Sequence, residues 1–194
     1  MVAAALLFPP SATGQAPSSA FQKAKTLAEK GDARGQFEVG LLYLKGEGVA
    51  KDAAEAARWF RKGADQGNAQ AQSYLGALYF RRALLAKDEA EASKDAAEAA
   101  KWFRKAADQG DARAQCVLAL MYAAGEGVGK DPVEAVKWYR KAADQGNAQA
   151  QCALGFAYDN GEGVGKDPGE AVKWYRKAAG PRRRGRAMRS GVRV

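Results

Sequence analysis

Few residues of this chain could carry covalent or metal chemistry. Its 194 residues include no histidine and only two cysteines, which are Cys116 and Cys152. Without histidine, neither a Ser-His-Asp nor a Cys-His nucleophile can be assembled, and a His-ligated metal site is excluded. Neither cysteine has a second cysteine close by in the sequence. The sequence therefore predicts no catalytic centre, no metal site and no cofactor.

Two glycine-rich segments resemble loops that bind phosphate. Gly-Glu-Gly-Val-Gly-Lys occurs at 125–130 and again at 161–166. A phosphate-binding loop follows a strand and has Ser or Thr after its Lys, whereas here each segment follows a predicted helix and an Asp comes next. Gly-Glu-Gly-Val also occurs at 46–49. The recurrence favours a structural turn over nucleotide binding.

Four glutamates recur with a fixed spacing and could be offered as general acids or bases: Glu55, Glu98, Glu134 and Glu170. Each follows an aspartate by three residues, which is the spacing of a helix-capping box with Asp as the N-cap. The four aspartates are Asp52, Asp95, Asp131 and Asp167. Because one catalytic pair would not need four copies, we interpret these carboxylates as helix caps.

The elements that position these residues form an internal repeat. The four tryptophans, Trp59, Trp102, Trp138 and Trp174, lie 43, 36 and 36 residues apart. Each is followed by Phe or Tyr, Arg and Lys, and in the first three copies a glycine ends the helix eight residues after the Trp. Because the Trp residues recur at the same position of each repeat, we expect their side chains to pack between helices and not to stack on nucleic-acid bases.

A second amphipathic helix precedes each Trp helix. In the third copy Ala112, Gln115, Leu118, Ala119 and Tyr122 lie on one face of a 3.6-residue helix. Positions 40, 76, 119 and 155 hold Gly or Ala, which predicts that a neighbouring backbone approaches closely. Cys116 and Cys152 occupy one position of this helix in neighbouring copies, on helices whose axes we expect to lie about 8–10 Å apart. We expect no disulfide between them and a small buried hydrophobic role for each.

These motifs resemble the Sel1-like repeats, relatives of the tetratricopeptide repeat. The resemblance covers residues 31–179 in four copies, at 31–66, 67–109, 110–145 and 146–179, after a half repeat at 18–30. It departs from the family pattern in the second copy, where 81–93 replaces the Gly-x-Gly-Val turn with a connection seven residues longer. The resemblance implies an all-α, right-handed α-solenoid of antiparallel helix pairs with about nine helices.

The two ends differ from the repeats. Residues 1–17 begin with a short apolar run and are either a signal peptide or a disordered leader, which would make the protein periplasmic or secreted in the first case and cytoplasmic in the second. Residues 180–194 contain six arginines and no acid, so most of the net charge of +9 lies there. We expect this tail to be disordered or wrongly docked. Its charge is compatible with nucleic acid or anionic lipid.

By resemblance, the protein is a non-enzymatic scaffold or adaptor that holds a peptide or protein segment in the concave groove lined by the first helix of each pair. Some Sel1-like proteins are linked to β-lactam binding or hydrolysis, but this chain has no Ser-x-x-Lys motif. The alternatives are association of the tail with nucleic acid or membrane, and an ordinary solvated face. The candidate groove residues vary between copies along one stripe: Arg34, Glu38, Leu41, Tyr74, Ala77, Arg81, Arg113, Val117, Leu120 and Phe156.

Overall fold

The computed structural model describes residues 17–180, which form nine α-helices and no strand. The predicted all-α fold and the expected helix number are confirmed within this range. The predictions for the leader and the Arg-rich tail concern residues 1–16 and 181–194, which lie outside the described residues. The helices are α1 Ser19–Glu29, α2 Ala33–Lys45, α3 Ala53–Asp65, α4 Ala69–Leu85, α5 Glu89–Asp108, α6 Ala112–Ala124, α7 Pro132–Asp144, α8 Ala148–Asn160 and α9 Pro168–Ala178.

Helix α1 stands alone, and the other helices form four pairs. The first helices of the pairs are α2, α4, α6 and α8, and the second helices are α3, α5, α7 and α9. Extensive contacts join only helices that are consecutive in the chain. This is the contact pattern of a solenoid, in which each repeat gains most of its stability from its immediate neighbours.

Local signals set where the helices begin and end. The side chain of Asn68, Asp111 or Asn147 accepts a hydrogen bond from a backbone N–H in the first turn of α4, α6 or α8. Gly125 ends α6 with φ +81° and Gly161 ends α8 with φ +77°. This left-handed conformation is readily available to glycine and strained for other residues. The Gly-Glu-Gly-Val segments are therefore structural turns.

The capping-box prediction is half right. Asp131 Oδ1 accepts from the Glu134 N–H at 2.9 Å, and Asp52 and Asp167 cap their helices in the same way. The glutamate does not return the bond, because the Asp131 N–H already donates to the Tyr122 carbonyl at 2.8 Å. Glu134 instead accepts from the Lys137 ammonium and the Trp138 indole. The Lys137 hydrogen bond is the main cause that lowers the pKa of Glu134.

The prediction that Asp95 caps a helix is wrong. Helix α5 begins earlier, at Glu89, with Asp88 as its N-cap, because the longer connection of the second repeat is itself mostly helical. Asp95 therefore lies inside the helix, 5% exposed. Its Oδ2 atom is 3.0 Å from Arg82 Nε, but no donor is aligned on it for a hydrogen bond. The carboxylate thus ties the extended α4 to the extended α5.

The glycine on α2, α4 and α8 faces an aromatic ring, so the prediction that a neighbouring backbone approaches this position is wrong there. A Cβ atom at Gly40 would lie 2.6 Å from the Phe60 ring, and one at Gly155 would lie 2.8 Å from the Tyr175 ring. The ring belongs to the residue after Trp on the second helix of the same pair. The small residue therefore sets the distance within a pair.

Buried glutamines connect one pair to the next. Gln115 is 4% exposed, and its Nε2 donates to the Ala107 carbonyl of the preceding repeat at 3.0 Å. Its Oε1 accepts from Gln145 Nε2 at 2.8 Å. Gln36 and Gln72 make the same two contacts in their repeats. These amides are satisfied on both sides, which identifies them as structural.

Candidate functional site

The predicted partner-binding stripe runs along the first helices, and its members differ in exposure. Leu120 and Phe156 are each 52% exposed. They occupy the same position on α6 and α8, 36 residues apart. Four polar or small members are also exposed: Arg34, Ala77, Arg81 and Arg113.

The remaining stripe members are partly buried. Leu41 and Tyr74 pack against the hydrophobic cluster around Phe60, and Val117 packs against the cluster around Phe103 and Tyr139. The Tyr74 ring centroid lies 5.2 Å from that of Phe60. These three side chains therefore hold repeats together, and less of their surface is open to a partner.

Two pairs of stripe residues contact each other. Arg34 Nε donates to Glu38 Oε1 at 3.2 Å on the surface of α2. The Arg113 guanidinium lies 5.2 Å from the centre of the Tyr74 ring and so spans from the third repeat to the second. The exposed apolar surface of the stripe is accordingly supplied by Leu120 and Phe156.

A ladder of cations and aromatic rings crosses the second helices, and the sequence analysis did not find it. The Arg two residues after each of the first three Trp residues lies over the Trp of the next repeat, at 5.0 to 6.0 Å, and donates to the hydroxyl of a nearby Tyr. The Lys three residues after each Trp lies over its own Trp at 3.8 to 4.4 Å. The conserved spacing Trp-x-Arg-Lys in all four copies was the available signal. Trp burial, predicted from the same spacing, is confirmed at 4% to 8% exposure.

The two cysteines are free, as predicted, but only one is buried. Burial raises the pKa of the Cys116 thiol to about 11. Cys152 is exposed, which contradicts the predicted burial. Its counterparts face the following repeat: Phe37 contacts Tyr74, and Ser73 donates to Asp111. No described helix follows α9, so nothing among the described residues covers Cys152.

We expect thiol-specific alkylation of the native protein to modify Cys152 at least about 100-fold faster than Cys116, because the buried thiol is both protonated and inaccessible until the structure opens. Mass spectrometry of proteolytic peptides measures the two rates separately. In denaturant the two cysteines should react at similar rates. Similar rates in the native protein would contradict the described packing.

No group of three or more potential metal ligands occurs within residues 17–180. In the same range, no helix combines the length and the apolar character needed to cross a membrane.

A fold of stacked antiparallel helix pairs, in which each pair contacts mainly the pairs next to it, is a helical-repeat solenoid. The chain belongs to the Sel1 repeat family, whose repeat matches residues 33–68, 69–111, 112–147 and 148–179. Each match begins two residues after the start of a predicted copy, at the first residue of a first helix. Sel1 repeats commonly mediate protein–protein interaction, and proteins of the family are generally non-enzymatic scaffolds.

Two solved structures are similar to this chain in sequence and fold. A protective antigen present in uropathogenic Escherichia coli strains, with an SLR fold, is 40% identical with a TM-score of 0.74, over 82% of this chain and 32% of the antigen. A Sel1 repeat protein from Oxalobacter formigenes is 38% identical with a TM-score of 0.72, over 82% of this chain and 61% of that protein. This chain therefore spans about a third and about three fifths of these two proteins.

A more distant structure shares the fold alone. An immunity protein from Pseudomonas aeruginosa is 23% identical with a TM-score of 0.51, over 81% of this chain and 56% of that protein. No curated protein matches the sequence.

Proposed function

We propose that this protein is a non-enzymatic scaffold that holds a peptide or protein segment against the first helices of its repeats. The observation that carries the proposal is the pair Leu120 and Phe156. Both are large apolar side chains, each 52% exposed, at one position of neighbouring first helices. Large exposed apolar side chains that recur on one face are typical of partner-binding surfaces.

The surroundings of this pair suit recognition by a peptide. The polar stripe residues Arg34, Arg81 and Arg113 are exposed on the first helices α2, α4 and α6 and can form hydrogen bonds to a segment that extends along the stripe from the apolar pair. The helices beneath are held by buried glutamines and Trp–cation contacts, so the surface is preformed. A preformed surface loses little conformational entropy on binding, and a few apolar anchors then supply most of the affinity.

The test is capture of partners from the source cell by the full-length chain, quantified by mass spectrometry. The double substitution Leu120→Ala and Phe156→Ala is expected to lower the captured amount of specific partners about tenfold or more, since interface anchors contribute about 1–2 kcal/mol each. The helical circular dichroism signal should be unchanged, because both side chains are half exposed.

The matched control is the double substitution Val133→Ala and Val172→Ala. These valines are 54% and 46% exposed but lie on second helices. The control is expected to capture partners as the parent chain does. Unchanged capture by the Leu120 and Phe156 variant, or an equal loss in the control, would refute the assignment of this face.

A further inference from the structure

A cavity of about 620 Å³ opens between α3 and α4, at the junction of the first and second repeats. Its apolar lining comes from Ala57 and Trp59 on α3 and from Leu75 and Leu78 on α4. On α4 these residues lie on a different face from Tyr74 and Ala77. The cavity is therefore separate from the stripe on the first helices.

In three repeats, the turn after the first helix covers the corresponding place. The second glycine of Gly-x-Gly-Val lies directly against the preceding second helix or against the N-cap of α1: Gly48 against Ser18, Gly127 against Ala96 inside α5, and Gly163 against Pro132 at the start of α7. The valine that follows packs against the core. Each turn thus closes the junction between two repeats.

The second repeat has no such turn. Helix α4 continues to Leu85, and only residues 86–88 separate it from α5, so the extra residues of this repeat lengthen the two helices. The residues of α3 that the turn would cover, Ala53 and Ala54, are exposed. The cavity lies about one turn further along α3, at Ala57. The lengthened connection has therefore left a junction without the peptide segment that fills it elsewhere.

The rim of the cavity is basic. Arg58, Arg61, Lys62 and Arg82 line it together with one carboxylate, Glu55. Arg58 pairs with Glu55 at 2.5 Å, and Arg82 pairs with Asp95 at 3.0 Å.

The other two cations of the rim contact aromatic groups. Arg61 lies over Trp102 and donates to the Tyr79 hydroxyl, and Lys62 lies over Trp59 at 4.4 Å. Within residues 17–180 neither forms an ion pair with a carboxylate. Both charges can therefore pair with an incoming anion.

We propose that this cavity binds an extended acidic segment of a partner protein, which replaces the missing turn in trans. A small aliphatic side chain of the segment occupies the space between Ala57 and Leu78. A carboxylate two residues before it pairs with Arg61 and Lys62. The sequence Glu-Gly-Val of the chain's own turns has this spacing, with the valine two residues after the glutamate, although in the first repeat that glutamate, Glu47, pairs with Lys45 of its own turn. This binding does not depend on Leu120 and Phe156.

The test is titration of the isotopically labelled full-length protein with the peptide acetyl-Ala-Gly-Glu-Gly-Val-amide, the sequence of 124–128, followed by NMR. A short peptide with few contacts is expected to bind with a Kd of about 1 mM. Saturable shifts are expected for backbone amides of 55–62 and 75–82. The peptide with Lys in place of Glu, and the one with Ser in place of Val, should each bind about tenfold more weakly.

A matched pair of variants separates the site from general charge effects. Lys62→Glu should weaken peptide binding about tenfold, whereas Lys141→Glu should leave it unchanged. Both lysines lie over the Trp three residues earlier, but the turn of the fourth repeat lies against α7 and closes the junction beside Lys141.

Three outcomes would overturn the proposal. The first is the absence of localised shifts at about 10 mM peptide. The second is equal weakening by the two lysine variants. The third is larger shifts of the same amides with inorganic phosphate than with the peptide, which would assign the cavity to phosphate groups.

Discussion

Replacing Gly127 by alanine is expected to destabilise the protein by about 3 kcal/mol or more. Gly127 has φ +68°, a conformation that costs an L-residue about 1–2 kcal/mol. The new Cβ would also overlap the Ala96 carbonyl and lie 2.8 Å from the Ala97 nitrogen. These are backbone atoms of α5, so no side-chain rotation relieves the overlap. The turn must therefore move away from α5, and the Val128 side chain then no longer packs against the hydrophobic core.

Gly129→Ala provides the matched control, two residues away in the same segment. A Cβ there meets no atom within 4 Å, and the φ of Gly129 is not positive. The control should change the free energy of unfolding by less than about 0.5 kcal/mol. Urea unfolding followed by Trp fluorescence measures both variants, and hydrogen exchange of α5 and α6 locates the change. Equal midpoints for the two variants would show that the turn does not rest on α5.

Replacing Phe60 by alanine is expected to cost about 3–5 kcal/mol. Phe60 is completely buried, and its ring packs on Gly40 and near the rings of Phe37 and Tyr74. Its loss leaves a cavity at the joint between the first two repeats. Because Gly40 has no side chain, nothing on the facing helix can fill that space.

Tyr175→Ala tests the same position at the last described repeat. Tyr175 also packs on a glycine, Gly155, but its side chain is 38% exposed. We expect a loss of about 1–2 kcal/mol, since less apolar surface is removed from water there. The same urea experiment compares the two variants. A larger loss of unfolding free energy for Tyr175→Ala than for Phe60→Ala would contradict the argument that the more buried ring contributes more to stability.

Much of the fold could be predicted from sequence because its determinants are local. Capping by Asp131 acts over three residues, and the left-handed turn at Gly125 depends on that residue alone. The periodic Trp positions identified the repeat, its helix pairs and the burial of the rings. The candidate stripe was also found from periodicity, but not which of its members are exposed. Leu120 and Tyr74 are both large and lie in the same stripe, yet only Leu120 is half exposed.

The errors arose where a residue's environment depends on a distant part of the chain. Asp95 has the sequence context of a cap, yet the helical connection before it places it inside α5 beside Arg82. Cys152 repeats the context of Cys116, yet only the latter is covered by a following repeat.

The sequence alone was sufficient to determine the helix pairs, their stacking order and the helix ends outside the junction of α4 and α5, since each depends on contacts within a few residues or on a period repeated four times. The tertiary structure decided which surfaces remain open. The exposed Leu120 and Phe156, the Trp–cation ladder and the cavity beside α3 all depend on which segment covers a position. That is a matter of packing between residues up to 41 positions apart, which the pattern within one repeat does not specify.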